Sequence, residues 1–208
     1  MVSDSSTERL AGIYLASASP RRRELLAQIG VPAQRLAVEV DEALAPGETP
    51  ERYVSRLALD KARAGWRASQ RGADAPVLGA DTVVVLDGQV LGKPRDRDDG
   101  LAMLSDLSGR SHRVLSGVAL VQESREVVTV SASTVTFRTL SERERRAYWE
   151  SGEPSDKAGA YAIQGLGAAF VSYLEGSYSG VMGLPLYETA QLLAEFGYEL
   201  LPVWRVAD

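Results

Sequence analysis

The chain has 208 residues, of which 45% are hydrophobic, so one domain of this length can bury a sizeable core without covalent cross-links. It contains no cysteine, which excludes disulfides, thiolate metal sites and a cysteine nucleophile and fits a reducing compartment. The net charge of −5 argues against a broad nucleic-acid-binding surface, and no apolar run approaches the roughly 20 residues that span a bilayer.

The first ten residues lack the basic start and the apolar run of a secretory signal. We therefore expect a loose, disordered tail over 1–10, a single domain over 11–208 and a cytoplasmic protein. Residues 12–17 (GIYLAS) have the pattern of a short strand, and Ser19-Pro20 is a strong helix-start signal. The helix that begins there is expected to end at Gly30.

The remaining segments alternate between strand and helix patterns. In chain order we predict a strand over 36–40, a helix over 50–69 capped by Thr49, strands over 77–86 and 89–91 joined by Asp87-Gly88, a helix over 98–107, strands over 114–121 and 127–137, a helix to 151 with a capping box of Ser141 and Glu144, a strand over 169–174 and a helix from Pro185 to 196. This alternation indicates an α/β fold, and the long hairpin-like strands predict a mixed sheet.

The segment SASPRRR (17–23) is the first candidate site. A strand that ends here and a helix that begins here would point free backbone N–H groups at one spot, where the helix dipole adds positive charge. Cations are unfavourable in the first turn of a helix, so stability does not explain the arginines. We interpret Ser17, Ser19, Arg21 and Arg22 as an anion cradle; the alternative is a solvated arginine run beside an ordinary helix start.

Asp81 is the second candidate, because it lies inside the apolar, β-branched stretch VLGADTVVVL. A carboxylate there is costly unless it is paired, metal-bound or near a cleft. In a regular strand Thr82 points to the opposite face. The alternative is an aspartate at a strand end that caps a loop, since Gly79 is compatible with a bulge.

Three further charged residues become candidates in the company of Asp81. Glu42 follows a predicted strand, Lys61 lies in the helix segment LALDKARAG, and Lys93 lies in LGKP after the hairpin. Each of them alone is expected to be an ordinary surface charge.

Two glycine-rich segments, 156–165 (DKAGAYAIQG) and 176–186 (GSYSGVMGLPL), would let backbone approach a ligand closely. Gln164 can read a base edge through its amide, and Tyr161 can support or stack. From sequence alone a plain loop explains the first segment better, and an ordinary helix start explains the second equally well. The lone His112 has no predicted nucleophile to activate, and GxGxxG, GxxxxGK[ST], HExxH and CxxC motifs do not occur.

Together these motifs resemble the Maf family of nucleoside triphosphate pyrophosphatases, over about residues 13–196. The matching pieces, in chain order, are LASASPRR, DKARA, GADTVVV, LGKPRD, LSGRSHRVLSGVAL, DKAGAYAIQG and GVMGLPL. Several motifs in the right order are far more specific than any one of them. The resemblance implies an elongated mixed sheet flanked by helices, with two lobes around a central cleft as in inosine triphosphatase-like enzymes, and a chain that often forms homodimers.

Within the family, the sequence is similar to the branch that acts on dTTP and UTP. Arg21 directly after Pro20, Thr82 directly after Asp81, and Gln164 within AIQG match the positions that distinguish this branch. The branch that acts on 7-methyl-GTP carries an aromatic residue after SP and glutamate in place of Gln164.

The resemblance implies attack of water on the α-phosphorus, with pyrophosphate leaving. Carboxylates would repel a triphosphate, at about 4 kcal/mol for each unit pair near 4 Å and an effective dielectric near 20, unless a cation lies between. We therefore expect Glu42 and Asp81 to hold Mg²⁺ or Mn²⁺ and Asp81 to take the proton from water, although the two carboxylates can exchange roles.

The other candidates then bind substrate. Arg21, Arg22, Lys61 and Lys93 would hold the triphosphate and stabilise the leaving pyrophosphate, Ser17 would add neutral hydrogen bonds, and Thr82 and Gln164 would select the base. The expected partner is a nucleoside triphosphate, with no nucleic acid and no membrane.

Two other functions remain open. A nucleotide-sensing module linked to cell-division control would use the same cradle without chemistry, although it gains nothing from Asp81 and Glu42 beside an anion. An inosine triphosphatase-like purine hydrolase would share the reaction and differ in base. Whether the target is standard dTTP and UTP or modified pyrimidine nucleotides, removed as a house-cleaning task, also stays open.

Overall fold

A computed structural model describes residues 12–69, 75–198 and 200, so the tail predicted over 1–10 lies outside the described residues. The strands are β1 (Ile13–Ala16), β2 (Ala33–Arg35), β3 (Val77–Leu86), β4 (Gln89–Leu91), β5 (Ser111–Gln122), β6 (Arg125–Phe137) and β7 (Val171–Glu175). The α-helices are α1 (Pro20–Gln28), α2 (Pro50–Ala68), α3 (Arg97–Leu107), α4 (Glu142–Glu150), α5 (Tyr178–Met182) and α6 (Leu186–Glu195). Short 3₁₀ helices cover Glu153–Asp156, Ala158–Ala160 and Leu166–Phe170.

The strands form one seven-stranded sheet in the order β2-β1-β3-β5-β6-β7, with β4 paired to β3. β1 runs parallel to both β2 and β3, whereas the other pairs are antiparallel. The predicted mixed α/β sheet is therefore confirmed. None of the helices in the described ranges is long and apolar enough to cross a bilayer.

Most predicted elements are present within a few residues, but the strand expected over 36–40 is wrong. The edge strand β2 ends at Arg35, and its last ladder bond joins the Leu36 N–H to the Leu15 carbonyl at 2.9 Å. Its partner β1 ends at Ala16, so the alternating residues Leu36, Val38 and Val40 have no neighbouring strand in the part of the chain that the structure describes. They begin a loop that runs to α2.

One face of the sheet is covered by α2, which packs directly onto β3 and β5. A Cβ atom on Gly79 would lie 2.2 Å from the Ala58 carbonyl oxygen, and one on Gly117 would lie 2.6 Å from the Val54 carbonyl oxygen. These glycines bring the helix backbone against the strands, which fixes the height of every α2 side chain above the sheet.

The opposite face carries two core clusters with a polar gap between them. One cluster joins Leu78 and Val118 to α1 and α6, and the other joins Val84 and Val114 to α3 and α4. Along β3 the residue between these groups on this face is Thr82, which is paired in register with Ser116. Two lobes thus meet at a cleft, as the family resemblance implied.

The edge of β3 opens at the same place. β1 pairs with residues 77–79 of β3 and β4 pairs with residues 84–86, so among the described strands residues 80–83 have no partner on that edge. A gap in the sheet edge lets side chains from both faces of β3 reach one space. Asp81 on the α2 face and Thr82 on the other face can therefore line the same cleft.

Candidate active site

The cleft at this gap has a volume of about 620 Å³. Every candidate residue from the sequence lines it: Ser17, Ser19, Arg21, Arg22, Glu42, Lys61, Asp81, Thr82, Lys93 and Gln164. They come from α1, α2, β3 and four connecting segments, so the fold brings together residues separated by more than half of the chain.

Arg22 is fixed in the cleft by neutral partners. Its Nε donates to the Gly183 carbonyl at 2.8 Å, and its terminal nitrogens donate to Ser17 Oγ at 3.0 Å and Thr82 Oγ1 at 3.5 Å. Burial lowers the pKa of the guanidinium, while Asp81 and Glu42 at longer range oppose this effect. In the described part of the chain no carboxylate forms an ion pair with Arg22, so its charge is available to an anion.

The start of α1 faces the cleft without a side-chain cap. Ser19 is the N-cap residue but its hydroxyl caps no backbone N–H, in contrast to Thr49, which accepts from the Arg52 N–H at the start of α2. Ser17 Oγ instead accepts from the Ser19 N–H at 3.2 Å. Free helix N–H groups beside Arg22 suit an anionic ligand.

Arg21, the neighbour of Arg22, contacts Gln164 across the cleft. With the Gln164 amide turned so that its oxygen faces α1, that oxygen accepts from Arg21 Nε at 3.2 Å and from a terminal nitrogen of the same guanidinium. The two residues proposed from separate motifs are thus direct partners.

Lys61 forms the centre of the opposite wall. Its Nζ lies 2.7 Å from Asp81 Oδ1 and 2.7 Å from Glu42 Oε1, so one ammonium joins the two carboxylates. The Asp81 side chain is 14% exposed, whereas that of Glu42 is 59% exposed. The hydrogen bond from Lys61 holds the pKa of Glu42 below its usual value, and Lys93 and Arg22 add to this effect.

The loop that carries Glu42 is attached to α2 by two side chains. Tyr53 Oη donates to the Glu42 carbonyl at 2.8 Å, and Arg56 donates to the Ala43 carbonyl at 3.0 Å. Arg56 also pairs with Glu48 at 2.7 Å, and this bond lowers the pKa of Glu48 to about 2. These contacts hold Glu42 within 2.7 Å of Lys61, although Glu42 lies in a loop and not in a strand.

Two more lysines line the cleft. Lys93 is exposed and forms no ion pair within the described ranges, so it is free to meet a ligand. Lys157 is paired with the adjacent Asp156. Sequence reasoning missed Lys157 as a site residue, although it lies in the DKAGAYAIQG motif.

Sequence reasoning also missed the residues that position others. Ser116 Oγ lies 2.8 Å from Thr82 Oγ1 and donates to the Gly180 carbonyl at 2.6 Å, which attaches α5 to β5 next to Thr82. Tyr53 and Arg56 act on Glu42 through contacts between α2 and the preceding loop. Their only sequence signal was membership of a helix next to a motif.

His112 is a buried core residue behind the cleft wall. Its Nε2 lies 2.8 Å from Tyr161 Oη, and its ring packs edge-on against Tyr161 and Phe137. Burial lowers the pKa of His112 to about 4, so the imidazole is neutral at pH 7. It supports Tyr161, which lines the cleft.

A divalent metal is compatible with Glu42 and Asp81. The part of the chain that the structure describes contains no group of three or more His, Cys, Asp or Glu side chains that could hold a metal. Mg²⁺, however, is commonly bound by one or two carboxylates together with substrate phosphates. The shared contact of both carboxylates with Lys61 Nζ shows that this pair accommodates one cation.

A family model described as Maf-like protein matches residues 12–196, nearly the whole of the described fold. The chain belongs to the Maf family. Two similar members are named dTTP/UTP pyrophosphatase. The protein from Alkalilimnicola ehrlichii is 59% identical over 92% of this chain and 96% of its own, and that from Saccharophagus degradans is 53% identical over 94% and 92%.

A more distant similarity is found among solved structures. A nucleoside-triphosphatase, dITP/XTP pyrophosphatase, from Mycobacterium abscessus aligns with 89% of this chain and 97% of its own, at 19% identity and a TM-score of 0.41. Similarity at this level bears on neither the substrate nor the mechanism of this Maf-family member.

Proposed function

We propose that this Maf-family protein is a nucleoside triphosphate pyrophosphatase that hydrolyses dTTP and UTP to the monophosphate and pyrophosphate. The observation that carries the proposal is the pairing of two opposite walls in one cleft. Arg22 and the free start of α1 form a cationic cradle, and Asp81 and Glu42 form a carboxylate wall across from it. The names of the two similar Maf-family proteins support the same substrate class.

The cradle would bind the phosphates. Arg22 has N–H groups left over after its three neutral contacts, and Arg21 and Lys93 add charge on either side. Cations fixed in a partly buried cleft stabilise charge that develops on a leaving pyrophosphate better than mobile surface lysines do. Thr82 contributes by accepting a hydrogen bond from Arg22, and as a cleft-lining residue it would lie close to a bound nucleotide.

Asp81 would accept the proton from the attacking water. It is the more buried of the two carboxylates, and it lies on a rigid central strand, whereas Glu42 lies on a loop. Lys61 holds both carboxylates in place at the cleft through its two 2.7 Å contacts. When the triphosphate enters, its charge would offer Lys61 a third anionic partner beside the two carboxylates, which would free carboxylate oxygens to act on water.

Glu42 and Asp81 are the residues that would hold a divalent metal. Such a metal, Mg²⁺ or Mn²⁺, lowers the pKa of bound water and shields the phosphates when it is present. The role of the chain is then to orient two oxygen ligands beside the cradle and to keep Lys61 within reach of the phosphates.

Gln164 would read the base beside the phosphate cradle, where it contacts Arg21. An amide held by Arg21 presents a fixed hydrogen-bonding edge, and a site built to bond a specific edge rejects bases that leave its groups unpaired. A purine hydrolase would share the phosphate site, and a nucleotide sensor would share the cradle. The Lys61-linked carboxylate pair favours catalysis over sensing, since a sensor for an anion gains nothing from it.

Asp81→Asn tests the chemical assignment. We expect kcat to fall by at least about 100-fold, because an amide cannot take the proton from water. Nucleotide binding, measured by calorimetry with a non-hydrolysable analogue, should remain. Asp87→Asn is the matched control, since Asp87 lies on the hairpin outside the cleft and pairs with Arg110. Turnover of Asp81→Asn within a few-fold of wild type would contradict the base assignment.

A further inference from the structure

The turn that presents Gln164 is anchored by one carboxylate. Glu153 Oε1 accepts hydrogen bonds from Tyr148 Oη at 2.7 Å and from the Gly167 N–H at 3.0 Å. Its Oε2 accepts from the Leu166 N–H at 2.9 Å. Tyr148 Oη in turn accepts from the Ala162 N–H at 3.0 Å. Backbone groups on both sides of Gln164 are therefore tied to Glu153 and Tyr148.

Two glycines make room for these contacts. A Cβ atom on Gly165 would lie 2.1 Å from Glu153 Oε2, and one on Gly167 would lie 2.7 Å from Tyr148 Oη and 2.7 Å from the Ala162 carbonyl oxygen. Side chains at these positions would push the turn away from the carboxylate. The glycines of the IQGLG segment thus leave room for the hydrogen bonds to Glu153 and Tyr148 as well as for the turn itself.

Glu153 is charged when it forms these bonds. Burial raises its pKa, but the hydrogen bonds from Gly167, Tyr148 and Leu166 outweigh burial, and the net pKa is below the usual value. Hydrogen bonds to an ionised acceptor are roughly twice as strong as neutral ones. No arginine or lysine forms an ion pair with Glu153 within the described ranges, so its charge is compensated mainly by the turn.

We propose that Glu153 and Tyr148 are positioning residues that set the place of Gln164 against Arg21 and thereby determine base selectivity. Neither residue is among those that line the cleft, so neither would touch a nucleotide bound there. The inference rests on the proposed function, in which Gln164 reads the base. It adds that selectivity depends on a carboxylate behind the cleft wall.

The experiment is a double-mutant cycle of Glu153→Gln and Gln164→Ala, read as the ratio of kcat/KM for dTTP to kcat/KM for CTP. Glu153→Gln keeps the side-chain size but directs an N–H₂ group at one of the three donors. We expect this ratio to fall by about tenfold, mainly through KM for dTTP, with kcat for dTTP little changed. In the Gln164→Ala background, Glu153→Gln should lower the ratio no further.

Tyr148→Phe is the second variant, which keeps the ring packed on Phe170 and removes both hydrogen bonds of the hydroxyl. It carries the test if Glu153→Gln does not fold, as judged by thermal unfolding, and it should lower the ratio in the same direction. Glu150→Gln is the matched control, because Glu150 is an exposed glutamate at the end of α4, and its ratio should equal that of wild type.

The outcomes separate this inference from the proposed function. If the ratio falls in Gln164→Ala but is unchanged in both Glu153→Gln and Tyr148→Phe, only the positioning role is overturned. Additive losses in the double mutant would overturn it too, because Glu153 would then act apart from Gln164. If the single variant Gln164→Ala has the wild-type ratio, the assignment of Gln164 to base recognition is overturned, and this inference with it.

Discussion

Two cationic side chains in the cleft, Lys61 and Arg22, differ in the charge of the groups that hold them. Lys61 pairs with Asp81 and Glu42 at 2.7 Å each, whereas the partners of Arg22 among the described residues are hydroxyl and carbonyl oxygens. A cation that is positioned by neutral groups keeps its charge for a ligand. Both arrangements are needed if one side of the cleft binds phosphate and the other activates water.

His112 gives a residue-scale prediction of pH dependence. Its pKa is lowered to about 4 in the folded protein, so on acidification the unfolded chain takes up the proton first and stability falls below about pH 6.5. From pH 7 to pH 5 the wild type should lose about 2 kcal/mol of unfolding free energy through this residue. Urea denaturation at the two pH values measures the loss.

The control for this prediction is His112→Gln, whose amide can still bond Tyr161 and does not titrate. His112 is the only histidine in the chain, so no other histidine contributes in this range. An equal loss of stability in wild type and His112→Gln would show that His112 is not the source.

At the residue scale the sequence predicted which side chains line the cleft and missed those that hold them. Asp81 and Arg22 were visible because a charge in an apolar strand is unfavourable without a partner, and so is a cation in the first turn of a helix. Tyr53 and Glu153 occupy ordinary positions, and their roles depend on contacts with Glu42 and Leu166 that only the folded chain creates.

At the scale of elements, α2 sets the position of Lys61 relative to Asp81. The helix can approach β3 closely because Gly79 has no side chain. The sequence pattern predicted both elements and their bounds to within about two residues. It could not predict that they touch backbone to backbone, because that contact is long-range.

Gly79→Ala tests this close approach. The new Cβ would lie 2.2 Å from the Ala58 carbonyl oxygen and 2.5 Å from the Ala62 nitrogen, so α2 must shift and carry Lys61 with it. We expect the free energy of unfolding, measured by chemical denaturation, to fall by about 3 kcal/mol. Gly92→Ala is the matched control, since a Cβ at Gly92 meets nothing within 4 Å. Equal stability of the two variants would contradict direct packing of α2 on β3.

The loop over 36–49 shows where element prediction from sequence fails. Leu36, Val38 and Val40 alternate as in a strand, yet the neighbouring β1 is too short to pair with them. The loop is held by Arg56 and Tyr53 and brings Glu42 to the cleft. Alternating side chains indicate a local preference for strand conformation, whereas strand pairing also depends on the length of the neighbouring strand.

At the scale of the whole molecule, sheet topology determines where the site lies. Because β1 and β4 pair with separate parts of β3, the edge between them is open, and the polar gap between the two core clusters coincides with it. The mixed sheet was predictable from the order of elements. The gap was not, since it depends on the register of three strands.

Pyrophosphate release with Mg²⁺ or Mn²⁺ from dTTP, UTP, CTP, GTP, ITP and 7-methyl-GTP tests the proposed function most directly. We predict a clear preference for dTTP and UTP, and EDTA should abolish release. Preference for a purine nucleotide would contradict pyrimidine selectivity, and release that persists in EDTA would contradict metal assistance. No release from any of the six, with nucleotides still bound, would contradict the assignment as an enzyme.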